Sequence, residues 1–415
     1  MTEKRYKKLR TAPELQGLME GHYREVKLSA LAKPLHLGKP LAWVTSGAPV
    51  EILRAMDILP VYPENYGALC GARGSGAAMC QDMEDRGYSQ DLCSYAKESL
   101  AGALAPKDAP LGGLPRPDLL ITCSNICGTV LKWYEALARI YNAPLFIIDT
   151  PYVHEDDGKS PDHALRYVKG QLQDHITWLE KHTGRKLKPD RLRRTAELSA
   201  ETTRLWREIR DLCKARPSPL NAPDLFINMA PVVTLRGTKE ARDFYARLKA
   251  EVEERVAQGI GAIPRERYRL LWDNIAIWPK LYRFYSLFTD HDACFVVDTY
   301  TGGWAMKIEG DDPLEAIARV YTEVFLNQSV HFRADRMTEM IRDFQCDGFV
   351  MHSNRSCKPY SLGQYDIKRL VTARTGVPGL LVEADHCDVR AYAEEPIRSR
   401  VQAFMETLAA TRDTN

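Results

Sequence analysis

Pro117-Asp-Leu-Leu-Ile-Thr-Cys123 is a short apolar run closed by proline on one side and by the polar pair Ser124 and Asn125 on the other. A run of that length and composition reads as a strand buried on both faces of a parallel sheet. Val130 to Tyr141 follows with apolar residues at helical spacing, and Pro144-Leu-Phe-Ile-Ile-Asp149 reads as a second buried strand. Strand, helix and strand in that order form the unit from which a doubly wound parallel sheet is built.

Toward the N-terminus the same alternation continues. Leu41–Thr45 fits a strand, Pro49–Asp57 a helix and Leu59–Tyr62 a short strand, behind a helical lead-in over residues 1–38. The glycine-rich stretch Gly67-Ala-Leu-Cys-Gly-Ala-Arg-Gly-Ser-Gly76 reads as a loop, and Asp91 is placed to cap a helix running to about Leu100. Toward the C-terminus, residues 160–260 are rich in Arg, Lys, Glu and Leu, carry few strand runs and are interrupted by Pro217, Pro219 and Pro223. They read as helices linking two α/β units. From Arg267 onward, strands fit Tyr268–Trp272, Ala293–Asp298, Gly348–His352 and Gly379–Glu383. Helices fit Trp278–Phe288, Pro313–Leu326, Arg333–Phe344, Gln364–Thr375 and Ile397–Ala410. The expected class is therefore α/β with two doubly wound parallel-sheet domains of flavodoxin or Rossmann type. The expected division is a helical segment at 1–38, a first α/β domain at 39–160, a helical linking region at 161–265 and a second α/β domain at 266–415.

The bulk chemistry excludes several classes. The 415 residues are 45% hydrophobic and 27% charged, which suits a full globular core. With 57 basic and 55 acidic side chains, the net charge of +2 gives no polybasic footprint for nucleic acid or a membrane surface. The local run Lys186, Lys188, Arg191, Arg193 and Arg194 reads as a solvated helix face. Met1 to Arg10 is charged with no apolar stretch behind it, so no secretory signal is read there. No window approaches the roughly 18 apolar residues of a membrane span. A cytoplasmic location is expected, and in a reducing compartment the ten cysteines are buried thiols, metal ligands or catalytic groups rather than a disulfide framework.

Cys123 ends a strand, Cys127 opens the next helix, Cys93 opens the helix near Asp91, and Cys357 and Cys387 follow the last two strands. Ligands bind at the carboxyl ends of strands in an open parallel sheet, and a helix N-terminus favours a thiolate or an anionic group. No Cys-x-x-Cys pair is present, which argues against a zinc ribbon or a thioredoxin-like pair, and the compact ferredoxin run is missing too. Cys213, Cys294 and Cys346 read as small core hydrophobes. On position alone, Cys93, Cys127 and Cys357 stay open between a structural and a chemical role.

Longer phrases narrow the choice. Asp91-Leu-Cys-Ser-Tyr-Ala-Lys97, Ser124-Asn-Ile-Cys-Gly-Thr-Val-Leu-Lys-Trp-Tyr-Glu135, Pro144-Leu-Phe-Ile-Ile-Asp-Thr-Pro-Tyr152, Tyr268-Arg-Leu-Leu-Trp-Asp273, His352-Ser-Asn-Arg-Ser-Cys-Lys-Pro-Tyr360, Gly379-Leu-Leu-Val-Glu-Ala-Asp385 and Arg398-Ser-Arg-Val-Gln-Ala-Phe-Met-Glu406 occur in that order. Together they resemble the 2-hydroxyacyl-CoA dehydratase and benzoyl-CoA reductase superfamily over about residues 38–410. The resemblance implies an oxygen-sensitive 4Fe–4S cluster held by Cys93, Cys127 and Cys357, with one iron left open. It implies an acyl-CoA substrate, a homologous iron–sulfur subunit as partner, and a separate ATP-hydrolysing activator that donates electrons. The chain itself has no Gly-x-x-x-x-Gly-Lys-Ser/Thr loop.

Tyr62-Pro-Glu-Asn-Tyr-Gly-Ala-Leu-Cys-Gly-Ala72 most resembles subunits of ATP-dependent benzoyl-CoA reductase, so reduction of an aromatic acyl-CoA ring is the expected reaction. Radical dehydration of a 2-hydroxyacyl-CoA is the alternative. Two further alternatives are a double-cubane reductase drawing on Cys70, Cys80, Cys123 and Cys387, and a non-catalytic partner subunit. His352 and His386, beside the last two cysteine segments, are candidate proton donors. The Gly67–Gly76 stretch with Arg73 is a weaker candidate for CoA phosphates, and His154, Glu155, Asp156 and Asp157 read as a solvated turn.

Overall fold

A computed structural model describes residues 8–35 and 37–413. Two four-stranded sheets carry the chain, all of their strands parallel. The first holds β1 (Leu41–Val44), β2 (Leu59–Val61), β3 (Leu119–Cys123) and β4 (Leu145–Ile148) in the order β2-β1-β3-β4. The second holds β5 (Tyr268–Asp273), β6 (Ala293–Asp298), β7 (Gly348–Asn354) and β8 (Gly379–Ala384) in the order β6-β5-β7-β8. In each sheet the chain steps to one side and then crosses to the other, so the order reverses between β1 and β3, and again between β5 and β7. Loops leaving adjacent strands at such a reversal diverge and open a crevice at the strands' carboxyl ends.

Helices α1 (Ala12–Ala32), α2 (Val50–Ala55), α3 (Pro63–Ala72), α4 (Gly76–Asp85), α5 (Ser94–Leu104) and α6 (Thr129–Tyr141) accompany the first sheet. Between the sheets in sequence come α7 (Asp162–Thr183), α8 (Pro189–Leu212), α9 (Ala222–Asn228), α10 (Ala230–Thr234) and α11 (Lys239–Ala257). The second sheet is accompanied by α12 (Leu281–Thr289), α13 (Pro313–Thr322), α14 (Val330–Asp343), α15 (Lys358–Ser361), α16 (Gln364–Thr375) and α17 (Glu394–Asp413). Strand alternation sorts the apolar side chains. Leu120 faces one core with Leu100, Val130 and Leu137 of α5 and α6, while Ile121 and Cys123 face another with Leu172, Trp206 and Leu248 of the helical region. That second core also takes in Leu271, Val296 and Met351 of the other sheet. Cys213, Cys294 and Cys346 lie inside it as buried thiols.

Several local expectations are corrected. The Gly67–Gly76 stretch is not a loop: α3 runs through it to Ala72, and α4 begins at Gly76. Cys93, not Asp91, is the N-cap of α5. The Pro144–Asp149 run is an edge strand paired only with β3, and Ile147 is 36% exposed. The helix expected over Trp278–Phe288 opens as a tight turn at Trp278–Lys280, and the one expected to reach Leu326 ends at Thr322. The basic run from Lys186 to Arg194 and the His154–Asp157 turn are solvent-facing, as expected.

One buried ion pair ties three parts of the chain together. Arg236, which follows α10, reaches Glu51 of α2 at 3.1 Å, and the Tyr321 hydroxyl of α13 donates to the same carboxylate at 2.9 Å. All three side chains are fully buried or nearly so. Replacing Arg236 by Met leaves the Glu51 charge without its partner, and such a loss costs about 3–5 kcal/mol. Urea unfolding of the Arg236→Met variant is expected to show that loss, and an unchanged midpoint would refute it.

Candidate functional site

The two strand-order reversals open onto one cavity of about 540 Å³. Ser46 and Gly47 reach it from the end of β1, Ile126 and Cys127 from the end of β3, Ile275 from the end of β5, and Cys357 and Tyr360 from the end of β7. Asn125 fixes the first reversal. Its side-chain amide donates to Gly47 O at 3.0 Å and to Tyr321 O at 2.7 Å. A Cβ at Gly47 would lie 2.6 Å from Asn125 Oδ1, so only glycine allows that approach.

Cys93, Cys127 and Cys357 all line this cavity. Cys93 is the N-cap of α5, Cys127 precedes the Gly128 N-cap of α6, and Cys357 is the N-cap of α15. Burial pushes Cys127 up to about 11 and Cys357 up to about 12, and raises Cys93 well above the ordinary thiol value. The thiols also raise one another, Cys93 feeling Cys357 and Cys127, and Cys357 feeling Cys127. Without metal they are neutral, and a metal must displace their protons to bind.

Among the described residues, no three His, Cys, Asp or Glu side chains are arranged to hold a metal ion. A four-iron cube is a different demand, because it takes one thiolate on each of several irons and spreads its ligands around its corners. Three thiols at helix N-termini, facing one space with no cationic side chain on its walls among the described residues, fit that group by donor chemistry. Cys70, Cys80, Cys123 and Cys387 do not face the cavity. Cys123 contacts Thr150 Oγ1 at 3.1 Å, and Cys387 donates to Gly67 O at 3.4 Å.

Neither His352 nor His386 lies on the cavity wall. His352 is buried with Nδ1 2.8 Å from Ile275 O, and burial lowers it to about 4. His386 stands directly behind Cys93, with Nε2 3.9 Å from Cys93 Sγ. Burial lowers it against the pull of Asp385.

The residue that sequence pattern passes over is Glu64, at the start of α3. It lines the cavity and accepts from the Ser46 backbone N–H at 3.2 Å. Burial raises its carboxyl to about 7, so near neutrality it holds a proton about half the time. It is the sole carboxyl on the walls, which carry no Lys, Arg or His among the described residues. Aromatic rings dominate the rest, including Trp133, Phe226, Trp278, Trp304 and Phe325, and the Trp278 indole donates to the Tyr95 hydroxyl at 2.7 Å. The Gly67–Gly76 segment faces this space through Ala68, Leu69 and Ala72 of α3, while its glycines pack elsewhere. A Cβ at Gly67 or Gly76 would meet the buried Glu98 carboxyl at 2.7 or 2.5 Å, and one at Gly71 would meet Cys387 Sγ at 2.7 Å.

Residues 45–408 match the family described as 2-hydroxyglutaryl-CoA dehydratase, D-component. The chain is 33% identical over 384 residues to the (R)-2-hydroxyisocaproyl-CoA dehydratase alpha subunit of Clostridioides difficile, covering 91% of this chain and 92% of the relative. It is 31% identical over 380 residues to the (R)-phenyllactyl-CoA dehydratase alpha subunit of Clostridium sporogenes, covering 91% of each. It is 29% identical over 382 residues to a benzoyl-CoA reductase subunit of Thauera aromatica, covering 87% of each. These relatives fall on both sides of the superfamily that the sequence phrases resemble.

Proposed function

The chain belongs to the 2-hydroxyglutaryl-CoA dehydratase D-component family, and from that premise we propose that it is an iron–sulfur enzyme subunit that dehydrates a 2-hydroxyacyl-CoA whose acyl group is apolar. The observation that carries the reading is three thiols facing one apolar cavity whose sole carboxyl among the described residues is Glu64. A four-iron cluster on Cys93, Cys127 and Cys357 would supply single low-potential electrons and keep one iron free of protein ligands. The subunit names of the relatives support a multi-subunit enzyme; a homologous second subunit as partner and an ATP-hydrolysing activator as the electron source complete the proposal.

The chain's own residues do the rest. Helix N-termini favour the anionic group, the aromatic walls exclude water and pack the acyl chain, and Glu64 holds a proton at the wall for the departing hydroxyl. An engineered cavity of about 150 Å³ already takes benzene, so about 540 Å³ accommodates an aromatic or branched acyl group with its thioester. With no cation on the walls among the described residues, a second carboxylate on the acyl chain would be buried unpaired. A 2-hydroxyglutaryl group is therefore expected to be a poor substrate despite the family's description.

Reduction of benzoyl-CoA, the reaction expected from the Cys70 segment, is the second reading, and the aromatic wall favours it. The two readings separate by stoichiometry. Dehydration recycles its electron, so many turnovers follow one activation. Ring reduction consumes two electrons, and ATP, for each product. With partner, activator and both thioesters supplied anaerobically, ATP hydrolysed per product is expected to fall far below one. A fixed ATP cost on every turnover, with benzoyl-CoA consumed, would overturn the dehydratase reading in favour of the reductase.

A further inference from the structure

We propose that Asp385 is the positioning residue that locks the Cys93 and Cys357 segments together and so sets how firmly the chain holds its cluster. The proposal rests on the cluster reading above. The two cysteines come from opposite sheets, and each has a serine beside it: Ser94 after Cys93, Ser356 before Cys357. Both serines converge on one carboxylate. Ser356 donates to Asp385 Oδ2 through its backbone N at 3.1 Å and through Oγ at 2.5 Å, and Ser94 Oγ donates to Asp385 Oδ1. The Ser94 backbone N–H donates to Ser356 Oγ at 3.1 Å, closing the triangle. The N–H groups of Cys387 and Asp388 hold the carboxylate from behind, both at 2.9 Å. Ser94, Ser356, Asp385 and His386 are all buried.

His386 backs onto this triangle. Its Nε2 lies 3.2 Å from Ser94 Oγ and 3.9 Å from Cys93 Sγ, and its Nδ1 faces Asn354 Oδ1 at 3.0 Å. The two serine hydroxyls lie 3.0 Å apart. Asp385 thus ties the residue after Cys93 to the residue before Cys357, and groups that orient metal ligands in this way govern how firmly the metal is held.

The test uses the full chain purified anaerobically with its partner subunit. Wild type, Asp385→Asn, Ser94→Ala and His386→Phe are compared for iron release to a chelator, for the visible absorption spectrum of the cluster, and for far-UV dichroism. Asp385→Asn is expected to keep the fold and release iron about 10–100-fold faster, as loss of groups that orient metal ligands does. His386→Phe, which leaves both serine contacts to Asp385 in place, is expected to keep its iron. If Asp385→Asn fails to fold, Ser94→Ala leaves the charge in place, removes one leg of the triangle, and carries the same expectation of faster release. Wild-type release rates in folded Asp385→Asn and Ser94→Ala would overturn the proposal while the cluster stands. A wild-type chain that never holds iron would overturn the cluster reading itself and the proposal with it.

Discussion

Serine at position 93, 127 or 357 is expected to strip the iron from the chain and take turnover below detection. The wild-type chain, purified without oxygen, is expected to hold about four irons and four sulfides, bleached on exposure to air. The three thiols approach from three separate segments, and Cys70, Cys80, Cys123 and Cys387 do not line the cavity. A serine hydroxyl is a far weaker ligand for iron than a thiolate. Cys213→Ser and Cys294→Ser are the controls. Both sit in the packed core, where a hydroxyl costs stability of roughly 1–3 kcal/mol but touches no iron. Metal and sulfide analysis decides the matter. Iron lost from Cys213→Ser but retained by Cys127→Ser would remove the ligand assignment, and stoichiometric zinc without sulfide would remove the cluster.

Glu64→Gln is expected to lower the rate by about 10²–10⁴-fold, the range set by losing a positioned acid, while iron content stays at the wild-type level. The pH profile gives the sharper signature. With its carboxyl raised to about 7, wild-type Glu64 is protonated below that pH and ionised above it. The proton-dependent rate should therefore fall as pH rises through about 7, and the falling limb should be missing in the glutamine variant. Stability follows the same sign. The folded state binds the Glu64 proton more tightly than the unfolded chain, so wild type loses stability between the ordinary value of 4.5 and about 7, and Glu64→Gln does not. A wild-type rate that rises through pH 7, or a limb that persists in the variant, would show that Glu64 is not the acid.

The strands were legible because their signal is local. Leu119–Cys123 is five buried residues between a proline-bounded turn and a polar exit, and burial on both faces leaves no polar residue to blur it. The positions of Cys93, Cys127 and Cys357 were legible for a related reason, since strand and helix ends are readable from capping and periodicity. What failed depended on contacts distant in sequence. The glycines of Gly67–Gly76 look like turn signals, yet they serve α3 and α4 by making room for Glu98 and Cys387. Asp91 has the chemistry of an N-cap but lies near Arg355 at 3.7 Å, leaving the cap to Cys93. The Phe146 strand is apolar enough for a sheet centre, but its place at the edge is set by strand order, which composition does not encode. Glu64 sits in a phrase already used for the resemblance, but a single acid has no periodicity, and its burial and its place on the cavity wall come from the fold alone.

The crevice fed by both sheets also sets a schedule for biosynthesis. Cys93 and Cys127 belong to the first sheet's loops, and Cys357 to a loop of the second, translated far later. At ribosomal speeds of about 5–20 residues per second, two thiols wait on the order of ten seconds or more before the third emerges. An early-loaded nascent chain would offer an exposed, incompletely ligated centre to any oxidant. Cofactor insertion is thus expected to be post-translational, following the docking of the second sheet, and pulse-labelled nascent chains arrested before residue 357 should carry no iron.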